Sequence, residues 1–215
     1  MFSKIFPKIH AEGYKFLVIS IIITLVLYSL SDFLGLIGFF LTVWVYYFFR
    51  DPERVTIMDE NFLVSPADGE IIKVEEVNGP KEFGLENKRF QKISIFMNVF
   101  DCHVNRSPCE GKIEEILYKP GKFLNASFDK ASDDNERNYY KIKDKQSNDV
   151  IVVQIAGLIA RRIVCESNKD QDLKQGERIG MIRFGSRADV YYENYKPLVK
   201  VGQKAISGET LLAKK

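Results

Sequence analysis

Hydrophobic residues are concentrated near the start of the chain, whereas charged residues are frequent in the rest. Two apolar stretches without a charge, residues 16–30 and 34–49, are separated only by Ser31, Asp32 and Phe33. In a helix that rises 1.5 Å per residue each stretch is about 23 Å long, shorter than the roughly 30 Å hydrocarbon core of a bilayer. Each stretch therefore needs its flanking residues in order to cross a membrane. The pattern predicts two consecutive apolar helices followed by a water-soluble domain.

Positive charges flank this apolar pair on both sides. They are Lys4, Lys8 and Lys15 before it and Arg50 and Arg54 after it. Because positive residues favour the cytoplasmic side, both ends are expected there, and residues 1–50 are predicted to form a membrane-associating helical hairpin. Its turn either reaches the far side of the bilayer or stops part-way. A cleaved signal peptide is the alternative, but no small-residue cleavage site follows the first stretch, so an anchor is favoured.

Short apolar runs rich in β-branched and aromatic residues follow from Phe62 onward, separated by Gly, Pro and Asn. The clearest runs are residues 93–100, 150–155, 179–184 and 190–192. Such runs are typical of β-strands, so residues 51–215 are predicted to form a β-rich domain. One helical interruption is expected at residues 158–165. The predicted fold class is α+β, with a mainly β soluble domain behind the N-terminal hydrophobic helical hairpin.

Two sequence patterns occur twice in this domain. The pattern S-P-x-acid-G-x-I is found at residues 65–71 and 107–113, and residues 174–178 resemble residues 200–204. Each Pro/Gly turn leads into apolar residues, as the entry to a strand does. Residues 201–213 also resemble the turn-strand unit of lipoyl and biotinyl carrier barrels, without the lysine that those carriers modify. Lipoyl-like turn-strand repeats are therefore predicted, and a swinging-arm carrier is not.

Composition and charge narrow the class of protein. The chain has 31 Lys and Arg against 29 Asp and Glu, a formal net charge of +2, so no nucleic-acid partner is expected. With 46% hydrophobic and 28% charged residues it should bury a substantial core. The three cysteines have no C-x-x-C spacing and the two histidines are far apart, so neither a disulfide framework nor a metal site is expected.

Few residues have side chains suited to catalysis. His10 is predicted to be a solvated group of the basic leader, whereas His103 follows a predicted strand, where a side chain can face a cleft. A thiol nucleophile at Cys102 is not favoured, because neighbours on a strand point to opposite faces. Gly185 precedes Ser186, and glycine permits backbone conformations in which a hydroxyl approaches the preceding carbonyl. A structural histidine and a simple strand kink are the alternatives at these positions.

Six blocks of sequence, taken together, resemble the short, prokaryotic type of phosphatidylserine decarboxylase. They are SPADG at residues 65–69, FDCHVNR at 100–106, PGKFLNA at 120–126, NERN at 135–138, QIAGLIARRIVC at 154–165 and RFGSR at 183–187. The resemblance runs in order over nearly the whole chain. The family more often carries Leu-Gly-Ser-Thr at its cleavage site, whereas the short type carries Phe-Gly-Ser-Arg, as this chain does.

The resemblance implies an enzyme that cleaves itself between Gly185 and Ser186. Ser186 would become a pyruvoyl group, so neither a metal nor pyridoxal phosphate is expected. His103 would act as the general base and Asp68 would orient its imidazole. The products would be a β chain of residues 1–185 and an α chain of residues 186–215.

The implied substrate is phosphatidylserine in a prokaryotic cell membrane, decarboxylated on the cytoplasmic side to phosphatidylethanolamine. Its phosphate or carboxylate would be held by cationic side chains, for which ordinary surface charge is the alternative. The candidates are Arg161, Arg162, Arg187 and Lys122. A homo-oligomer is also expected. The alternative functions are decarboxylation of another serine-headed lipid and a non-catalytic membrane adaptor with a lipoyl-like β domain.

Overall fold

The chain folds into two units. The computed structural model describes residues 7–122, 124, 134–157, 162–183 and 186–215. The two compact units are Met1–Glu53 and Arg54–Lys215. The first is mainly helical and the second is built from β-strands, which confirms the predicted fold class.

Two antiparallel helices form the first unit. Its elements are β1 (Lys8–Ile9), α1 (Gly13–Leu30), α2 (Asp32–Phe48) and β2 (Arg50–Asp51). The helices separate at Ser31, whose extended backbone (φ −167°, ψ 141°) cannot continue a helix. They pack closely where Gly38 lies against Thr24, whose Oγ1 is 2.9 Å from Oγ1 of Thr42. Strands β1 and β2 pair antiparallel and bring the two ends of the hairpin together.

Most side chains of this hairpin are exposed and apolar. By length and composition α1 is suited to crossing a membrane, whereas α2 is apolar but shorter, with 17 residues. Leu25 and Leu30 are 64% and 70% exposed. One prediction in the basic leader is wrong, because His10 is 5% exposed and its Nδ1 accepts a hydrogen bond from the amide of Glu12 at 3.3 Å.

Antiparallel strands make up most of the second unit. In chain order they are β3 (Phe62–Val64), β4 (Gly69–Asn78), β5 (Arg89–Met97), β6 (Val104–Arg106), β7 (Gly111–Lys119), β8 (Arg137–Asp144), β9 (Asp149–Ala156), β10 (Arg162–Cys165), β11 (Asp172–Leu173), β12 (Arg178–Arg183), β13 (Ser186–Tyr192), β14 (Lys196–Pro197), β15 (Lys204–Ala205) and β16 (Leu211–Lys214), with a 3-10 helix at Lys81–Phe83. Eight strands form one sheet in the order β11-β7-β8-β9-β13-β5-β4-β15. Two three-stranded sheets, β10-β12-β6 and β14-β16-β3, contain the remaining strands of the described part of the unit.

Both faces of the large sheet are buried in its middle. On one face Ile95, Val152 and Val190 belong to the main core, whereas Val153 and Tyr191 on the other face belong to a second cluster. Side chains alternate between the faces of a strand, so two cores require apolar residues at consecutive positions. This explains the continuous apolar runs in the sequence, which are less typical of a strand with one solvated face.

One predicted helix is wrong in the part that the structure describes. Residues 162–165 form β10, which pairs antiparallel with β12 so that Ile163 lies opposite Ile182. An available strand partner overrides the local preference for a helix. Residues 158–161 lie outside the described residues.

The first repeated sequence pattern is also a repeated structure. In one copy Ser65 Oγ donates to the carbonyl of Ala67 at 2.7 Å, and in the other Ser107 Oγ donates to the carbonyl of Cys109 at 2.7 Å. Each turn leads into a strand, β4 or β7, that has a register shift at the same place in the pattern. Both strands begin at a glycine that a neighbouring strand approaches so closely that a Cβ atom would collide with its backbone.

The second pattern repeats a different turn. The Glu177 carboxylate accepts a hydrogen bond from the amide of Lys174 at 2.8 Å, and the Gln203 side-chain oxygen accepts one from the amide of Lys200 at 2.7 Å. The glycine between the two residues has a positive φ in both copies, 78° and 88°. Glycine adopts this conformation without the strain that a side chain would add.

Candidate active site

Ser186 occupies the first position of the central strand β13. Its side chain is 0% exposed, and its backbone lies opposite Ala156 of β9 and Met97 of β5. The hydroxyl is 3.8 Å from the sulfur of Met97. The predicted cleavage partner Gly185 lies outside the described residues. Pairing on both sides therefore fixes the position of the serine at the edge of the main core.

His103 lies immediately before β6 and is 0% exposed. Its Nδ1 is 3.0 Å from the carbonyl oxygen of Asp101, which can only accept a hydrogen bond. Nδ1 must therefore carry a proton, and Nε2 is the basic nitrogen of the neutral ring. A tight turn supports this contact, since the Asp101 carboxylate accepts a hydrogen bond from the amide of Asn98 at 2.9 Å.

Asp68 lies in the first repeated turn, immediately before β4. One carboxylate oxygen is 2.7 Å from a guanidinium nitrogen of Arg54, and the other accepts a hydrogen bond from the amide of Ser207 at 2.8 Å. The Asp68 and Arg54 side chains are only 13% and 15% exposed, so their ion pair is partly shielded from water. A contact between Asp68 and His103 stays a prediction.

Two shared acceptors bring the three segments together. The Met97 sulfur accepts from Ser186 Oγ and, at 3.7 Å, from the side-chain nitrogen of Asn105. The Pro66 carbonyl accepts from that same nitrogen at 3.3 Å and from Ser207 Oγ at 3.1 Å. Because Asn105 is two residues from His103 and Pro66 is two residues from Asp68, the segments that carry all three predicted residues converge here.

A chain of buried amide side chains ends at this point. Gln154 of β9 donates to the side-chain oxygen of Asn105 at 2.9 Å and accepts from Asn138 of β8 at 3.2 Å. All three residues are at most 1% exposed. Burying an amide without a partner costs about 1–3 kcal/mol, so the three side chains depend on one another. This buried amide chain fixes the orientation of the Asn105 side chain between Met97 and Pro66.

The four cationic residues predicted to bind substrate have different surroundings. Arg187 is 1% exposed and makes two hydrogen bonds to the Asp189 carboxylate, at 2.6 and 3.0 Å. Lys122 is exposed and 3.2 Å from the Asp134 carboxylate, and Arg162 is exposed at the start of β10. Arg161 lies outside the described residues. The surroundings of Arg187 favour a structural role for this residue. Contact with substrate stays a prediction for all four cationic residues.

Three residues at this site, Arg54, Asn105 and Gln154, were not among those that the sequence predicted for it. Asn105 and Gln154 lie inside the sequence blocks that carry the family resemblance, which was the signal available for them. Arg54 was interpreted as a flank of the hairpin, and nothing in the sequence linked it to Asp68. Cys109 lies in the second copy of the turn, where burial raises the pKa of its thiol and disfavours the reactive thiolate.

Comparisons with known proteins identify the class of this protein. The Phosphatidylserine decarboxylase family profile matches residues 41–213. The chain is 77% identical over 215 residues to the phosphatidylserine decarboxylase proenzyme of Pelagibacter ubique (strain HTCC1062), covering 100% of both chains. It is 54% identical over 205 residues to the proenzyme of Ruegeria pomeroyi (95% of this chain, 94% of the relative) and 51% identical over 214 residues to that of Cereibacter sphaeroides (99% and 92%).

The chain therefore belongs to the phosphatidylserine decarboxylase family, and it is an enzyme. The alternative of a non-catalytic membrane adaptor is wrong. The relatives are named proenzymes, a word that denotes a precursor converted to its active form.

Replacing Gln154 by Leu should destabilise the second unit, because the change leaves Asn105 and Asn138 without their shared partner. We expect the free energy of unfolding to fall by about 1–3 kcal/mol, measured by urea unfolding of the detergent-solubilised chain. Gln146→Leu, at an exposed loop position, is the matched control and should change it by less than about 0.5 kcal/mol. Equal effects of the two changes would contradict the buried amide chain.

Proposed function

We propose that the chain is a membrane-anchored proenzyme that cleaves itself at Ser186 and then decarboxylates phosphatidylserine to phosphatidylethanolamine. The observation that carries the proposal is the convergence of three segments on one buried point, where Ser186 Oγ and Asn105 share the Met97 sulfur. Family membership supplies the substrate class. The headgroup chemistry alone does not distinguish phosphatidylserine from another serine-headed lipid, but the names of the relatives favour the former.

Maturation requires a nucleophile, a base and an acyl group. Ser186 Oγ attacks the Gly185 carbonyl carbon, and the peptide bond is replaced by an ester while the amino group of Ser186 is released. His103 accepts the hydroxyl proton at Nε2, because the Asp101 carbonyl already holds the proton on Nδ1. Elimination of the ester leaves a dehydroalanine, and water converts it to a pyruvoyl group with loss of ammonia.

The surroundings of Ser186 fit a pyruvoyl group. The position is fully buried, and its neighbours include the small Ala156 and the adaptable Met97 side chain, so a planar group of similar size can replace serine. When present, the group supplies a carbonyl that takes up electrons as CO₂ leaves, without a metal or pyridoxal phosphate. Pairing of β13 with β5 and β9 keeps that position fixed.

The chain's own residues then handle protons and charge. His103 Nε2 delivers a proton to the carbon that has lost CO₂, since imidazole can be neutral or charged near pH 7. Asp68 stabilises the charged imidazole. The Asp68 carboxylate is itself held by Arg54 and by the Ser207 amide. Our candidates for binding the anionic groups of the lipid are the four predicted cationic residues, Arg161, Arg162, Arg187 and Lys122.

The hairpin provides access to a substrate that stays in a bilayer. The apolar exposed surface of α1 is suited to lipid, and the positive residues beside the hairpin favour the cytoplasmic side for its two ends. Anchoring raises the chance that the enzyme meets a lipid headgroup. A cell-membrane location and assembly into a homo-oligomer belong to the proposal.

Replacing Ser186 by Ala should leave a full-length, inactive chain, because alanine has no oxygen for the acyl shift. Ser186→Cys is the matched control and should cleave slowly, since a thiol can form the corresponding thioester. Intact mass under denaturing conditions should give fragments of residues 1–185 and 186–215 from the unaltered chain, with a carbonyl-reactive α fragment. Normal cleavage and CO₂ release by the Ala variant would refute the assignment.

Removing His103 should affect maturation more than removing the charge of Asp68. His103→Ala eliminates the base, so cleavage should slow by about 100-fold or more. Asp68→Asn should slow cleavage by a smaller factor, because the base remains but loses its counter-charge. The control is Glu110→Gln, which changes the matching acid in the second copy of the turn, where the carboxylate pairs with Lys145.

Cleavage rates of these variants are followed by denaturing electrophoresis after synthesis of the full chain. The Glu110→Gln chain should cleave at the normal rate. Normal cleavage of His103→Ala would remove the base assignment, and equal slowing by Asp68→Asn and Glu110→Gln would assign Asp68 only to folding of the repeated turn.

A chain that begins at Arg54 should still cleave itself, because the proposed processing residues all lie in the second unit. It should decarboxylate a short-chain soluble phosphatidylserine but act at least about tenfold more slowly on the same headgroup in vesicles, since encounter with the bilayer is lost. CO₂ release measures both activities. Equal activity on vesicles with and without residues 1–53 would contradict the anchoring role.

A further inference from the structure

A cavity of about 700 Å³ in the second unit has a strongly cationic wall. Its charged lining residues are Arg54, Arg106, Lys174, Arg178 and Glu177. Four of these five side chains are positive, and the volume is in the range of cavities that hold small ligands. The composition of the wall favours an anion over a neutral or cationic ligand.

Among the described residues of this wall there is one carboxylate, that of Glu177, and it is held by its own turn. One oxygen of Glu177 accepts a hydrogen bond from the Lys174 amide at 2.8 Å, and the other accepts one from Gln171 at 3.4 Å. These bonds hold the Glu177 carboxylate against its own turn. The Arg106 guanidinium is fixed by a 2.9 Å hydrogen bond to the carbonyl of Gly176. At least one guanidinium of the positive wall is therefore held in place, which favours recognition of phosphate.

The cavity is separated from Ser186 by strand β6. Asn105 and Arg106 are consecutive residues of this strand, so their side chains point to opposite sides. Asn105 contacts Met97 beside Ser186, whereas Arg106 lines the cavity. A ligand in the cavity would therefore lie on the other side of β6 from the reacting serine.

One ion pair nevertheless links the two sides. Arg54 lines the cavity and also lies 2.7 Å from the Asp68 carboxylate. A guanidinium has five N–H donors and can contact two anions, but its positive charge is then shared between them. An anion in the cavity would reduce the neutralisation of Asp68 by Arg54.

We infer that this cavity binds a phosphate-type anion and that the bound anion modulates Asp68 through Arg54. The chemistry is common to inorganic phosphate and to the phosphodiester of a phospholipid headgroup. The binding site stands on the cavity alone, whereas its effect on maturation rests on the proposed function. When Arg54 also contacts a bound anion, it neutralises less of the Asp68 charge. Asp68 then stabilises the charged imidazole of His103 more strongly, so a bound anion accelerates self-cleavage.

Binding is tested on the full-length Ser186→Ala chain in a nonionic detergent, which keeps one uncleaved species. Inorganic phosphate and soluble glycerophosphoserine are titrated separately by calorimetry. Arg178→Gln should weaken binding by about tenfold, because one charged hydrogen-bond donor is lost. Lys174→Gln, at an exposed position, gives a second variant with little risk of misfolding. Lys200→Gln, on the matching turn outside the cavity, is the control and should bind as the parent chain does.

Each outcome decides the binding inference. Binding of inorganic phosphate that the cavity variants weaken supports a free-anion site, and binding of glycerophosphoserine alone supports a headgroup site. Binding of neither probe, or equal binding by Arg178→Gln and Lys200→Gln, overturns the site. Because calorimetry measures binding and requires neither cleavage nor decarboxylation, these results do not depend on whether the proposed function is correct.

The coupling to Asp68 is tested by the cleavage rate of the chain with Ser186 intact. Saturating concentrations of the bound probe should increase this rate at least twofold in the Lys200→Gln control, and Arg178→Gln should need about tenfold more probe for the same increase. Ionic strength is held constant with chloride, since screening alone changes surface interactions. Binding with an unchanged cleavage rate would remove the proposed effect on Asp68.

Discussion

Pairing of β13 on both sides is the constraint on which the rest of this structure depends. All seven residues from Ser186 to Tyr192 lie opposite residues of β5 on one side and of β9 on the other. Alternate residues of the strand, including Ala188 and Val190, fill the main core. A strand held in this way has a fixed register, because a shift by one residue would move its apolar side chains to the wrong face. The position of the Ser186 hydroxyl is set by the same register.

This constraint also explains how a chain cut before β13 can stay assembled. The thirty residues that begin at Ser186 contribute β13 to the middle of the large sheet, β15 to its edge and β16 to the sheet that contains β3. Leu212 and Ala213 of β16 are also fully buried. The proposed cleavage before Ser186 would remove none of these ladders, so the two fragments would remain joined by hydrogen bonds and a shared core.

The buried polar groups around Ser186 are costly and therefore informative. The Asn138, Gln154 and Asn105 side chains occupy space in the interior that apolar residues of similar size could fill. A satisfied amide chain adds little net stability over such residues, but it orients each member uniquely. Its effect is to hold β6 against β5 and β9 at the point where the segments that carry Ser186, His103 and Asp68 converge. The same strand carries Arg106 toward the cationic cavity, so both sites depend on the placement of β6.

The sequence by itself determined the hairpin, the β-rich domain, the repeated turns and the family. These features are local: apolar length defines the helices, apolar runs define strands, and a Ser-Pro-x-acid-Gly turn forms its own hydrogen bonds. Long-range pairing determined the rest. Residues 162–165 became a strand because β12 was available as a partner. Asp68 and Glu110 occupy the same place in two copies of one turn, but only Asp68 meets the Ser207 amide and Arg54, whereas Glu110 pairs with exposed Lys145. The repeated turn places an acidic side chain at the same position in both copies. Only the tertiary structure decides which groups contact that side chain, because those groups come from distant parts of the chain.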